Sequence, residues 1–366
     1  MNKNNLENSI NDSKDLNKEK KDSLLINNES IKSSSSTLFS SLPLSSTSSY
    51  NINSGKNIQQ SPNLLTRKAI LSCLSSQTTT KYLQQIISEV SKETIEIIVN
   101  ELKGTFREII KDKNGNYFCS DLFKLCQHNQ RLKILNELSK NFSEDSIHKF
   151  ATFPLQILIE YSSSEEEYKL ILHSFYDRKQ LFLISFDSVG AYVVQKIIEH
   201  IPEKYRYQFN LLFITIIPQI SQMQYGLCCC KKFFSCSKNE DTIEKAINII
   251  CQNFIQISTS NFGNFLIQFI FKKLNNTKLG ERIKGEIIDN YNVLSKNKYS
   301  YYICDLFSKL ATKDDIMKVI ILHDINPLNI KNNNNNIEQN FSLPFLNNNN
   351  DNLNLPLPNN IPFYFK

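Results

Sequence analysis

The sequence lacks the cysteine spacing that builds metal sites and disulfide frameworks. Its 366 residues include nine cysteines, an odd number, and no CxxC pair. This usage is typical of a protein in a reducing compartment. We therefore expect no structural zinc site and no disulfide-stabilised fold. The consecutive Cys228, Cys229 and Cys230 are interpreted as small core residues rather than as reactive thiols.

Long apolar runs are also missing, and we expect no signal peptide. The N-terminal residues MNKNNLENSI lack the apolar core of a signal peptide. The densest apolar stretch, residues 211–217, is far shorter than the roughly 20 residues that span a bilayer. We expect a cytoplasmic protein, with the nucleus or nucleolus as alternatives, and no membrane partner.

Motifs that carry catalysis are absent as well. The chain has no nucleophile elbow, P-loop or HExxH motif, and its five histidines are dispersed. We therefore expect no enzyme, no cofactor and no bound metal. The net charge of +6 is compatible with a polyanionic partner but does not require one.

Two terminal segments have too few large apolar residues to build a core. Residues 1–62 are rich in Asn, Ser and Lys, and residues 328–366 contain two runs of Asn. Burial in such segments cannot offset the entropy of ordering the backbone. We expect two disordered tails that flank one repeat domain, residues 63–327.

That central region repeats with a period near 36 residues. Seven similar segments each begin with a small residue, and four of the eight glycines of the chain occupy this position. The seven residues are Thr79, Gly115, Ala151, Gly190, Gly226, Gly263 and Ser300. A regular period with helical apolar spacing and no strand-like alternation predicts an all-α stack of seven repeats with about three helices each.

Within the helix that follows each small residue, apolar and other side chains fall on different faces. The third, fourth and seventh residues after the small residue are apolar, as in Val193, Val194 and Ile197, and are predicted to be core. The first, second and fifth residues, here called the first, second and fifth slots, are predicted to point away from it.

The three slots repeat one chemical pattern along the chain. The first slot holds Thr80, Asn116, Thr152, Ala191, Leu227, Asn264 and Tyr301. The second slot holds Lys81, Tyr117, Phe153, Tyr192, Cys228, Phe265 and Tyr302. The fifth slot holds Gln84, Ser120, Gln156, Gln195, Lys231, Gln268 and Asp305.

Rings fill five of the seven second slots, and glutamine fills four of the seven fifth slots. A solvated face with rings packed between neighbouring helices is one interpretation. It gives no reason to prefer Tyr over Lys or Gln over Glu. Single-stranded RNA does, because unstacked bases gain from flat side chains and their edges need donor–acceptor pairs at a fixed reach.

Four segments, GNYFCSDLFKLC, GAYVVQKIIEH, YGLCCCKKFF and FGNFLIQFIF, resemble the PUF (Pumilio and FBF) repeat family. The resemblance covers roughly residues 62–325. It implies a right-handed α-solenoid, a superhelical crescent of three-helix repeats whose concave face binds RNA antiparallel, one base per repeat. It also implies a monomer that binds mRNA 3′ untranslated regions and represses translation or promotes mRNA decay. Deadenylase or translational repressor proteins would then bind the convex face.

The resemblance also suggests which bases are read. Asn264 and Gln268 resemble a uracil-reading pair, with Phe265 as the stacking ring. The pairs in repeats one and three resemble adenine-type readers, and the pair in repeat four is ambiguous between adenine and uracil. Asp305 stands where a guanine-reading repeat usually has Glu, although Tyr301 replaces a small residue there. The expected target contains G-U followed by an A/U-rich stretch.

Three departures from the family pattern are visible. Ser120 replaces the usual Gln and shortens the reach beside Asn116. Leu227, Cys228 and Lys231 form a poor reading set, so repeat five is expected to bind loosely or to skip a base. Family members usually have eight repeats, and this chain shows seven. Two alternatives to a sequence-specific mRNA-binding protein stay open. One is an armadillo- or HEAT-like protein-binding scaffold without RNA reading, and the other is a nucleolar PUF-like ribosome-assembly factor.

Overall fold

The computed structural model describes residues 65–325, which lie in the larger of two compact units, Ile58–Lys366. The two predicted tails, residues 1–62 and 328–366, lie outside the described residues. Within residues 65–325 the regular structure is entirely helical, with twenty α-helices and one short 3-10 helix, Ser139–Asn141. The all-α prediction is confirmed.

The helices follow one another in sets of three, which we call the first, middle and third helix of a repeat. Repeats one and two contain α1 (Arg67–Cys73), α2 (Gln77–Glu89), α3 (Lys92–Glu101), α4 (Phe106–Lys111), α5 (Gly115–Leu125) and α6 (His128–Leu138). Repeats three and four contain α7 (Phe142–Asp145), α8 (Thr152–Tyr161), α9 (Glu165–His173), α10 (Arg178–Phe186), α11 (Gly190–His200) and α12 (Tyr207–Ile220). Repeats five to seven contain α13 (Gln224–Cys236), α14 (Glu240–Gln252), α15 (Phe254–Ser258), α16 (Gly263–Leu274), α17 (Lys278–Asp289), α18 (Tyr291–Lys296), α19 (Tyr301–Leu310) and α20 (Lys313–His323).

Repeat five departs from the predicted three helices, because α12 serves as both the third helix of repeat four and the first helix of repeat five. In repeats six and seven the corresponding helices are separated at Asn253 and Asn290, which end one helix and begin the next. The equivalent position, ten residues before the small residue, is the buried Ile216. Asparagine competes with the helix for backbone hydrogen bonds and isoleucine does not, so α12 continues.

Each repeat stacks on the next to form a solenoid. The middle helices α2, α5, α8, α11, α13, α16 and α19 each contact the following one. Third helices also meet across repeat boundaries, as in α6 with α9 and α17 with α20. One hydrophobic core runs from Ile70 to Val319 and includes Val193, Val194 and Ile197 as predicted. A unit this small buries its apolar face only against its neighbours.

The small residue near the start of each middle helix marks a close approach to the preceding helix. A Cβ atom on Gly226 would lie 2.2 Å from the carbonyl oxygen of Ile220, six residues upstream. The same backbone contact recurs at Gly115, Gly190 and Gly263. Where serine replaces glycine, the hydroxyl of Ser300 donates to the equivalent carbonyl of Leu294 at 2.8 Å. The small residue therefore recurs once per repeat because a larger side chain would clash with the backbone of the preceding helix.

The cysteines are all unpaired. Cys229 and Cys230 are fully buried, and burial raises the pKa of both thiols. The prediction of core packing is confirmed for these two, whereas Cys228 is half-buried. Between residues 65 and 325 no single helix is long and apolar enough to cross a bilayer. Helices α10 and α11 together are long and apolar enough, but they are bent by 108° relative to each other.

Candidate nucleic-acid interface

The second-slot side chains lie in one row, because they occupy the same position on seven consecutively packed helices. None of them is buried: Tyr117 is 53% exposed and Phe153 is 38% exposed. Lys81 is also exposed, and the remaining four are half-buried: Tyr192, Cys228, Phe265 and Tyr302. The face therefore presents flat rings at repeat-length spacing, with interruptions at repeats one and five.

All seven fifth-slot side chains are half-buried beside this row. Three of the glutamines turn their amide nitrogen back to their own helix. Gln156 donates to the Thr152 carbonyl at 3.1 Å, and Gln195 donates to the Ala191 carbonyl at 3.2 Å. Gln268 donates to the side-chain oxygen of Asn264 at 2.9 Å. These bonds fix the orientation of each amide before any ligand is bound.

Gln84 of repeat one is held differently. Its amide nitrogen donates to the carboxylate of Asp121, one position beyond the fifth slot of repeat two. Lys124 pairs with the same carboxylate at 3.0 Å. The amide of Gln84 is therefore already engaged by a neighbouring repeat. Sequence reasoning missed Asp121, and comparing the sixth position across the repeats would have found it.

The prediction that the first slot points away from the core is wrong for six of the seven repeats. Their side chains are between 1% and 7% exposed. These residues are Thr80, Asn116, Thr152, Ala191, Leu227 and Asn264; Tyr301 alone is half-buried. The first slot lies one turn before the buried fourth position, and in Asn116 and Asn264 the side chain also bonds the segment that precedes its own helix.

The buried asparagines in this slot satisfy backbone groups at the start of their helices. The amide nitrogen of Asn264 donates to the carbonyls of Ser260 and Asn261, both at 2.9 Å, and its oxygen accepts from Gln268. Asn116 binds its own preceding carbonyls in the same way, but its side-chain oxygen is buried without a partner. Ser120 is too short to supply the missing donor and bonds the Asn116 carbonyl instead.

At the seventh repeat the fifth-slot carboxylate is paired. Lys309 lies 2.7 Å from Asp305, one turn away on the exposed side of α19. The rings of Tyr301 and Tyr302 meet edge to face with their centroids 5.9 Å apart. Burial, followed by the charge of Asp305, raises the pKa of Tyr301. This end of the row therefore combines rings with an anionic acceptor.

Repeat five places a cation where other repeats have an amide. The ammonium of Lys231 lies 5.9 Å from the ring centroid of Phe265 and 5.8 Å from that of Phe269, both in repeat six. Burial lowers the pKa of Lys231. The thiol of Cys228 donates to the Gln224 carbonyl and leaves the second slot without a ring. Phe269, like Asp121, occupies the sixth position, which the sequence analysis did not compare.

The chemistry of this face suits stacking and edge recognition rather than catalysis. Along the row, rings lie beside amides, two lysines and one carboxylate, groups that pack on flat ligands and pair with their polar edges. Across residues 65–325 no group of three or more His, Cys, Asp or Glu side chains could hold a metal ion.

Comparisons with known proteins identify similar repeats. The model of the Pumilio-family RNA binding repeat matches residues 82–103, 106–139, 180–209 and 253–278. Pumilio homolog 12 of Arabidopsis thaliana is 25% identical over 252 residues, which are 67% of this chain and 41% of that protein. Suppressor protein MPT5 of Saccharomyces cerevisiae is 25% identical over 63% of this chain and 28% of its own length. The chain thus spans less than half the length of these relatives.

Solved structures share the fold. The Puf4 RNA binding domain bound to the HO endonuclease RNA 3′ UTR recognition sequence superposes with a TM-score of 0.64 at 20% identity. The likeness covers 69% of this chain and 79% of that one. Yeast Puf5p bound to AAT2 RNA gives a TM-score of 0.60 at 22% identity, covering 71% of this chain and 74% of that one. At these identities the likeness establishes the solenoid fold.

Proposed function

Because the chain belongs to the Pumilio (PUF) repeat family, we propose that it binds single-stranded RNA along the row of second- and fifth-slot side chains. Each repeat contacts one base: the second-slot ring stacks on its face and the fifth-slot group pairs with its edge. Bases follow the row antiparallel to the protein chain, as the family resemblance implies.

One observation carries this proposal. Seven middle helices pack in sequence, and each presents a second-slot and a fifth-slot side chain that is exposed or half-buried at the same register. Stacking contributes on the order of 1–3 kcal/mol per base. A row of five rings therefore provides affinity without a deep pocket, and the fifth-slot groups add the preference for particular bases.

In this proposal the first and fifth slots have different roles: the buried first-slot side chain orients the fifth-slot side chain, which contacts the base. Asn264 does not face solvent; it holds the amide of Gln268 so that one N–H and the carbonyl oxygen remain for a ligand. A uracil edge offers acceptors flanking a donor and matches that pair. Ser120 leaves the Asn116 oxygen unpartnered, so repeat two provides a ring but a weaker edge contact.

We further propose that the RNA is a 3′ untranslated region of mRNA and that binding represses translation or promotes decay in the cytoplasm. The related domains Puf4 and Puf5p were solved with RNA, the former with a 3′ UTR recognition sequence. Protein partners such as a deadenylase or a translational repressor would bind the side opposite the row. The regulatory role and the protein partners involve more than the repeat region, and both depend on RNA binding.

Selection from a random RNA pool on the purified chain tests the proposal. We expect enrichment of a short motif that contains G-U followed by an A/U-rich stretch. A chain that retains no RNA would contradict it and would favour an armadillo- or HEAT-like protein scaffold. Binding without sequence preference would instead favour a ribosome-assembly role.

A further inference from the structure

The last described helix, α20, is apolar on two sides. It packs against α17 and α18, and Val319 on the packed side is only 1% exposed. On another side, Met317 is 51% exposed, Ile321 is 75% exposed and Leu322 is 56% exposed. At about 100° per residue these three side chains lie within one arc of the helix. The helix therefore has an apolar face that no residue among 65–325 covers.

This exposed face is unusual for the end of a repeat stack. A helix that is apolar around most of its circumference is normally covered on both sides. The third helix of repeat six, α17, has such a cover, because α20 packs on it. A terminal repeat needs a polar outer face instead, and α20 presents three large apolar side chains there. A further segment is therefore expected to pack on α20.

The end of α20 brings the following chain close to this face. Asp324 adopts a left-handed conformation with φ 48° and ends the helix. The N–H of Ile325 donates to the Ile320 carbonyl at 3.2 Å, and the Ile325 side chain packs against the core. This type of helix end turns the chain away from the helix axis. The next residues therefore start beside α20.

We infer that residues 341–346 (FSLPFL) of the same chain cover the exposed face of α20, an inference that goes beyond the proposed RNA binding. Phe341, Leu343 and Phe345 alternate with other residues. Pro344 favours an extended backbone at the residue before it. In an extended segment, alternate side chains point to one side. The segment thus offers one apolar edge to the apolar face of α20.

The linker between the two elements, residues 326–340, favours this occupant over the alternatives. A flexible linker of this length spans roughly 20 Å, and α20 is only about 16 Å long. Short linkers give effective concentrations in the millimolar range, which fall as the linker lengthens, so the apolar cluster at 361–365 is less favoured. A second copy is less favoured too, because a face about 16 Å by 10 Å is far below the roughly 800 Å² per partner of a stable interface.

A single tryptophan in the full chain tests this inference, because the sequence contains none. Phe345→Trp keeps a large apolar ring in the segment, and acrylamide quenching measures its exposure. We expect the tryptophan to be shielded, and a second substitution, Ile321→Glu, to lower the ratio of docked to free segment about tenfold. Ile321 is exposed, so this change should not affect folding. Ile97→Glu, at a 51% exposed isoleucine on α3, is the matched control and should leave the tryptophan shielded.

Three results would overturn the inference. The tryptophan could be equally accessible in all three chains, so that this segment does not pack on α20. Its shielding could appear only at high protein concentration, together with a doubled mass in light scattering, so that a second copy covers the face. Phe363→Trp could be shielded while Phe345→Trp is accessible, so that a later segment is the occupant.

Discussion

The side-chain amide of Gln268 donates to the side-chain oxygen of Asn264, and Asn264 in turn donates to the carbonyls of Ser260 and Asn261. This relay links a half-buried reading side chain to the backbone at the start of its helix. It fixes which end of the Gln268 amide is nitrogen. A group oriented before binding loses less entropy when a base arrives.

Replacing Gln268 by alanine should therefore affect one base only. We expect a loss of about 1–3 kcal/mol for the RNA with the preferred base at that position, and much less for RNAs that already carry another base there. Equilibrium binding with single-base RNA variants measures this. Gln256→Ala, an exposed glutamine of the same repeat on α15, is the matched control. An equal loss for all RNAs would show that Gln268 does not read a base edge.

Tyr117 should contribute by stacking, without regard to base identity. It is 53% exposed, so its removal should cost little stability, whereas binding should weaken by about 1–3 kcal/mol for any base at its position. Tyr176→Ala removes a ring that is 41% exposed outside the row and should leave affinity unchanged. Equal effects of the two substitutions would contradict the assignment of the row.

Gly226, in the first turn of α13, should be required for folding rather than for binding. An added Cβ at Gly226 would overlap the Ile220 carbonyl at 2.2 Å, so Gly226→Ala should destabilise by about 1–3 kcal/mol. Gly285→Ala in the interior of α17 meets nothing within 4 Å and should stabilise by about 0.5–1 kcal/mol. Urea unfolding of both variants provides the comparison, and a neutral Gly226→Ala would refute the close-approach explanation.

Acid should destabilise the solenoid at the junction of repeats two and three. Burial raises the pKa of Glu167, but the N–H groups of Ser163 and Ser164 and the guanidinium of Arg131, at 2.7 Å, outweigh it and lower that pKa. The folded-state pKa lies below the unfolded value, so this stabilisation is complete above about pH 4.5 and is lost as the pH falls through the folded value.

Glu167→Gln should accordingly destabilise the protein by about 3–5 kcal/mol at neutral pH, because it leaves Arg131 buried without its counter-ion. The variant should also lose less additional stability between neutral pH and pH 3 than the wild type. Urea midpoints measured across that range test both statements. Glu165→Gln, which breaks only an exposed pair with Lys169 on the same helix, should leave the pH profile unchanged. Parallel profiles for wild type and Glu167→Gln would contradict the assignment.

The repeat period and the core positions could be predicted from sequence because both are local properties of one helix. The small residues recur because the first and middle helices nearly touch, and Val193, Val194 and Ile197 form one stripe. The burial of Asn264 could not be predicted in this way, since its side chain is held by the carbonyls of Ser260 and Asn261, which lie outside the helix whose pattern was read.

Contacts between repeats were missed for a related reason. The bond from Gln84 to Asp121 and the approach of Lys231 to Phe269 join residues more than 35 positions apart. Neither is visible in the pattern of a single helix. The continuous helix α12 also escaped prediction, although Ile216 in place of the asparagine of later repeats was the available signal.

The most direct measurement of the central claim is photo-crosslinking of the selected RNA, with a single 4-thiouridine placed at successive positions and the crosslinked peptides identified by mass spectrometry. We predict an ordered series along the row. Labels near the 5′ end should crosslink around Tyr302 and Phe265, labels in the middle around Tyr192, and labels near the 3′ end around Tyr117. Crosslinks that stay on the same peptides wherever the label is placed, or that fall on the third helices, would contradict one base per repeat along this face.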